Sequence, residues 1–259
     1  MDKLFNKGKD APERIDPLFL VTEKEDRKIE SFFIGLGVIF NDLKGLLLFE
    51  DMLINTYKRP VGEDATIQAG HYSGTLVQIQ KLVAATTHEF FIFLKKNTST
   101  FTELEFKQVL DKLSKSDRQI WNNLLAVAHG KLPAAETLSR TLVLIRSNMT
   151  FHYDHSGKVL KGAFISRYFG DLKIPKNKDA YYSIEDNILD THFYFADAAV
   201  EEALYIAAGK KQKKGDMREL EEFQKEFQAE IIGTVGVICS TIKSLMKVYI
   251  KHRRNYPRG

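Results

Sequence analysis

An all-α, multi-helix bundle with long antiparallel helices is the fold this sequence predicts, and three observations carry it. Glycine (16) and proline (6) are scarce in 259 residues, which disfavours a loop-rich all-β chain. Apolar residues recur at helical spacing in one segment after another, and no segment alternates with the period of a strand. Capping residues stand where several of those segments begin. With 44% hydrophobic and 28% charged residues, the chain has apolar material for a sizeable core, so disorder is excluded as its general state.

Residues 1–21 read as an N-terminal arm whose scattered charges leave no apolar stretch for a secretory signal, and the expected location is the cytoplasm. At Thr22 the run TEKE supplies a capping box, Thr22 as N-cap and Glu25 three residues on, opening a helix to about Tyr57. Gly35 and Gly37 weaken that helix locally and mark close packing. Residues 59–70 read as a loop, followed by a helix from about Ser73 to Lys96 and a pair from Phe101 to Gly130 with a break near Ser114 to Ser116. Pro133 suits the first turn of the next helix, which runs on through residues 145–155. After SGK (156–158) come a short helix to Tyr168, a polar loop over 170–179 and a helix from about Ser183 to Ala208. Asp216 and Glu219 cap a final helix that reaches Arg254, about 55 Å of helix with a kink expected near Gly233 or Gly236. Residues 22–259 thus form a single helical bundle domain with a basic C-terminal tail.

Several chemistries are disfavoured. The single Cys239, in the aliphatic run IIGTVGVICSTI, allows neither an internal disulfide nor a cysteine zinc site, and a reducing compartment fits it. The uncharged aliphatic stretch at residues 231–242 is short of the roughly 20 residues that span a bilayer, so a buried helix and no membrane partner are expected. His152 and His155 have a spacing that could hold a metal, but no Glu-x-x-His accompanies them, and neither metal nor cofactor is expected. No glycine-rich phosphate loop occurs. Glu185, Asp186, Asp190, Asp197, Glu201 and Glu202 spread around one helix with His192 and read as a solvated face.

The stretch IRSNMTFHYDH (145–155) carries the sharper hypothesis. On a regular helix Leu138, Leu142, Ile145 and Met149 make one apolar stripe, with His152 at its edge and Asn148 and His155 beside His152. Arg146 falls on the other flank of Met149, about 120° from His152. Histidine titrates near neutrality and can take a ribose 2′-OH proton, while arginine can stabilise the charge that builds on a phosphate. Arg146 and His152, with five residues between them near the end of a core helix, resemble the Arg-x(4–6)-His motif of the ribonuclease members of the HEPN superfamily, which are α-helical bundles. The polar residue that the family often has directly after the arginine is Ser147 here, with Asn148 next. Some toxin members continue His-x-Tyr, whereas this chain reads His152-Tyr153-Asp154.

The resemblance implies a metal-independent endoribonuclease acting in a cleft between two subunits, with Arg146 and His152 catalytic and Ser147, Asn148, Tyr153 and His155 supporting. It further implies a homodimer with RNA as partner. Net charge is only +4, but its distribution is uneven. On that reading Lys210, Lys211, Lys213 and Lys214 of GKKQKKG, with Arg253 and Arg254 of the tail, are candidate phosphate contacts, and Tyr249 and Tyr256 candidates for base stacking. The alternative is a non-catalytic helical interaction or scaffold module, in which His152 is a satisfied core residue and Arg146 pairs with a surface carboxylate.

Overall fold

The computed structural model describes residues 15–20, 27–56, 67–132, 136–147, 153–169, 180–184, 192–207 and 217–255. These form eight α-helices: α1 (Lys28–Thr56), α2 (Ile67–Lys96), α3 (Leu104–Asp111), α4 (Lys115–Ala128), α5 (Glu136–Ile145), α6 (Tyr153–Phe169), α7 (Tyr194–Ala207) and α8 (Met217–Arg254). Short 3₁₀ turns occur at Pro17–Phe19 and Thr100–Thr102, and the extended pairing among the described residues is one bridge between Ser183 and His192. The all-α bundle expected from periodicity is the observed fold.

α2 lies in the middle, touching α1, α4, α5, α7 and α8, while α6 packs chiefly on α7. The densest part of the core is aromatic. The ring of Phe32 stacks on Phe93 at 5.2 Å and meets Phe33, Phe101, Phe106 and Trp121 edge-on, so one side chain ties α1 to α2, α3 and α4. Gly35 makes room for that stack, because a Cβ there would lie 2.7 Å from the Phe93 ring. Tyr249 of α8 stacks flat on Phe33 at 3.8 Å and donates its hydroxyl to the carbonyl of Leu20 at 3.0 Å.

The turn at 112–114 separates α3 from α4 where a break was expected, with the Ser114 hydroxyl accepting from Asp117 N at 3.0 Å as N-cap. Just past the end of α4, Gly130 has a φ of 65°, the left-handed conformation a non-glycine residue resists. Three boundaries differ from expectation. α2 begins at Ile67, inside the stretch read as a loop, and α7 begins at Tyr194 rather than Ser183, because the chain at Ser183 is extended and bridged to His192. The helix opening near Pro133 ends at Ile145, and Tyr153 starts a different helix that contains SGK. Thr22, Glu25, Pro133 and Asp216, expected at helix starts, lie outside the described residues.

α1 and residues 225–254 of α8 are long and apolar enough to cross a membrane by length and composition, once one or two charges are admitted to the window. The uncharged run 231–242 is therefore not the longest apolar span. In this fold both helices supply core residues, Phe32, Phe33, Leu36 and Leu43 from α1 and Val235, Ile238, Ile242 and Leu245 from α8.

Candidate functional site

Leu138, Leu142 and Ile145 are buried as one stripe that seats α5 against α2 and α7, as their spacing predicts, and Thr141 is buried with them. Past Ile145 the helical repeat widens to a π turn over Arg146 and Ser147. Such local irregularities recur at functional sites because they re-aim side chains that a regular helix would hold in line.

Arg146 Nε donates to Glu89 Oε1 of α2 at 2.8 Å, with the two side chains 35% and 45% exposed. The guanidinium is thus anchored at the surface and not buried in the core. Beside it on α2 is His88. Burial is the main cause that lowers the proton affinity of His88, Glu89 opposes it, and Arg146 lowers it further. Its Nδ1 is buried and has no hydrogen-bond partner among the described residues. The result is a cluster of an arginine, a carboxylate and an imidazole kept neutral near pH 7, where α5 meets α2.

The other expected site residues divide in three. His152 and Asn148 lie outside the described residues, as do Lys210, Lys211, Lys213, Lys214 and Tyr256. Ser147 lies next to Arg146 in the π turn, whereas Tyr153 and His155 belong to the first turn of α6. Arg146 and Ser147 thus depart from the regular α-helical repeat on which the offset of about 120° from His152 depends, and residues 148–152 lie outside the described residues. Arg254 is exposed on the last turn of α8.

Arg253 and Tyr249 require correction. Arg253 is 5% exposed, its Nη2 2.5 Å from Glu30 Oε1 and its Nε 2.8 Å from Glu105 Oε1, which removes it from any phosphate-facing surface. Tyr249 is 1% exposed and already stacked within the core, so it offers no face to a base. The basic tail reading failed here because the last turn of α8 docks on α1 and α3. Burial of Glu30 and Glu105 demands a cation, and Arg253 is the residue that reaches both.

The acidic helix also differs from the solvated face expected of it. Asp197 Oδ2 lies 2.8 Å from His192 Nε2, Glu201 pairs with Arg167 of α6 at 3.7 Å, and Glu202 is fully buried, accepting from Ser166 at 2.8 Å. Glu185, Asp186 and Asp190 lie outside the described residues. Gly74 of α2 allows the close approach of this group, since a Cβ there would meet His192 Cε1 at 2.6 Å and Asp197 Oδ2 at 2.8 Å. Among the described residues no group of three or more His, Cys, Asp or Glu side chains is arranged to hold a metal ion.

Glu89 and His88 were not among the candidates, although HEFF at 88–91 places a dipeptide of titratable residues inside an aliphatic and aromatic helix, which is a detectable signal. Their proximity to Arg146, 57 residues away, is tertiary and has no local signature. Comparison with family models, with curated proteins and with solved structures finds no match.

Proposed function

We propose that this chain is a HEPN-like, metal-independent endoribonuclease in which Arg146 stabilises the scissile phosphate and His152 is the general base. The observation that carries the proposal is the placement of Arg146. It stands at the end of a core helix, where the helical repeat widens, half-exposed and oriented through Nε by Glu89. An anchored guanidinium loses less freedom on meeting a phosphate than a mobile one does, and its charge acts where negative charge builds in the transition state.

In the proposed reaction His152 removes the ribose 2′-OH proton, the 2′ oxygen attacks phosphorus, and the bond to the 5′ oxygen of the next nucleotide breaks. That oxygen leaves with a proton, and the products are a 2′,3′-cyclic phosphate and a 5′-hydroxyl. Ser147, Asn148, Tyr153 and His155 are the proposed supporting residues. RNA is the proposed partner, positioned by Arg254 and by Lys210, Lys211, Lys213 and Lys214, and the active species is a cytoplasmic homodimer.

Arg146→Ala and His152→Ala, made singly, test this. Each is expected to abolish RNA cleavage while leaving helical content and the thermal midpoint nearly unchanged, because a half-exposed ion pair such as Arg146–Glu89 contributes about 1 kcal/mol or less to stability. Wild-type activity should persist in EDTA and leave cyclic phosphate ends. Strict dependence on an added divalent ion, or full activity in His152→Ala, overturns the proposal.

A second reading, a non-catalytic interaction module, draws on a different observation. Ile34, Val38, Phe49 and Met52 share one face of α1 and are each about half exposed or more, an apolar stripe of the kind that marks association surfaces. Catalytically silent wild-type protein that nonetheless associates through α1 would favour it.

A further inference from the structure

Eight residues before Glu89 on α2, about 12 Å along the helix, Lys81 is buried at 6% exposure. Among the described residues its ammonium has no hydrogen bond and no ion pair. Asp197 is near enough to favour its charge, against the larger effect of burial, which lowers its proton affinity; but Asp197 Oδ2 is engaged by His192 at 2.8 Å. A largely buried lysine whose charge is only partly compensated is disfavoured relative to an apolar side chain of the same length. A methionine at the same position would fill similar space without that cost.

Lys81 lines a cavity of ≈ 680 Å³ between α2, α6 and α7, within the range of small-molecule sites. Its walls are largely apolar, with Leu160 and the rings of Phe164, Tyr182 and Phe195. Gln78, one turn before Lys81 on the same face of α2, adds an amide that can both donate and accept. A cation in the lining of a cavity with aromatic walls fits a ligand of matching polarity: an acidic head and an apolar body.

We propose that this cavity is a binding site for a small amphipathic organic anion, its carboxylate or phosphate on Lys81 and its apolar body among Phe164, Tyr182 and Phe195. The site is separate from the Arg146 cluster and does not rest on the nuclease reading. Asp197 also lines the cavity but is engaged by His192, so the ligand's acid would add a counter-charge to Lys81, with Lys161 of the same wall a second cation.

The test uses the full chain and three naphthalene probes of one size: 2-naphthoate, 2-naphthyl phosphate and the neutral 2-naphthamide, titrated by calorimetry. At least one anion should bind about tenfold or more tightly than the amide, and the preferred anion distinguishes a carboxylate from a phosphate ligand. In Lys81→Met that preference should vanish while the unliganded thermal midpoint rises; Lys81→Arg should retain part of it. Ala196→Trp, at an exposed position on the cavity wall, should weaken all three probes without disturbing the core. Arg146→Ala should bind as wild type does, which separates this site from the nuclease. Equal binding of amide and anions, undiminished anion binding in Lys81→Met, or no anion binding at millimolar concentration overturns the proposal.

Discussion

His252 ties the protonation of a single ring to the stability of the fold. It is 7% exposed, Lys112 Nζ lies 2.7 Å from its Nδ1, and its Nε2 is 3.8 Å from Glu105 Oε1. Burial first, then Lys112 and Arg253, hold its proton affinity below the ordinary value of 6.5. As pH falls from 6.5 towards that lower native value, the unfolded chain takes up a proton that the native protein does not, and stability is lost across that window. Glu50 and Glu105 act with the opposite sign, because burial raises both above 4.5 and acidification through their raised range favours the native state. His252→Gln keeps an acceptor for Lys112 and cannot titrate, so the difference between the two proteins isolates the histidine. Thermal melts at about pH 7.5 and 5.5 should show wild type losing more of its midpoint than the variant over that interval. An equal loss in both would mean that His252 takes up its proton as readily when folded as when unfolded.

Packing between α2 and α7 depends on two glycines one turn apart. A Cβ at Gly70 would overlap the ring of Tyr194, and one at Gly74 would crowd His192 and Asp197. Alanine is the better helix former by about 1 kcal/mol, yet Gly74→Ala should destabilise by about 1–3 kcal/mol because the paired His192 and Asp197 side chains must move to admit the methyl group. Gly45→Ala, where nothing lies within 4 Å, should stabilise by roughly 0.5–1 kcal/mol. Denaturant melts of the two variants check both signs, and a stable Gly74→Ala would show that the α7 contact is loose. This close fit was partly legible in the sequence. Apolar spacing gave the buried stripe of α5, and Gly35 could be read as a packing position because glycine costs a helix interior stability, although Gly45 shows that the signal is not specific. The start of α7 was not legible, since the Ser183–His192 bridge pairs residues whose local pattern suits a helix. Arg253 and Lys81 were not legible either: a charged side chain in a periodic helix looks the same in sequence whether it faces solvent, a buried glutamate or a cavity.

At the scale of the whole molecule the proposed homodimer carries a prediction of its own. In that proposal each subunit would contribute one Arg146 and one His152, and a two-fold axis, the commonest closed symmetry, would bring two of each to a single cleft. Mixing Arg146→Ala with His152→Ala protein should then recover part of the cleavage activity that each has lost, provided that the subunits exchange. Inactivity of the mixture after demonstrated exchange would mean that each site is complete within one chain. The way the bundle closes has a consequence of another kind. Glu30 on α1 and Arg253 on α8 are 223 positions apart, and Phe33 waits for Tyr249 across nearly the same interval. At ribosomal speeds of about 5–20 residues per second, the glutamate emerges roughly 10–45 s before its arginine has been made. Helices pack within microseconds to milliseconds, so the nascent chain spends most of its synthesis with an acidic, aromatic-rich face of its first helix uncovered. A ribosome that stalls before α8 would therefore display that face to chaperones, and completion of the last helix is the event that withdraws it.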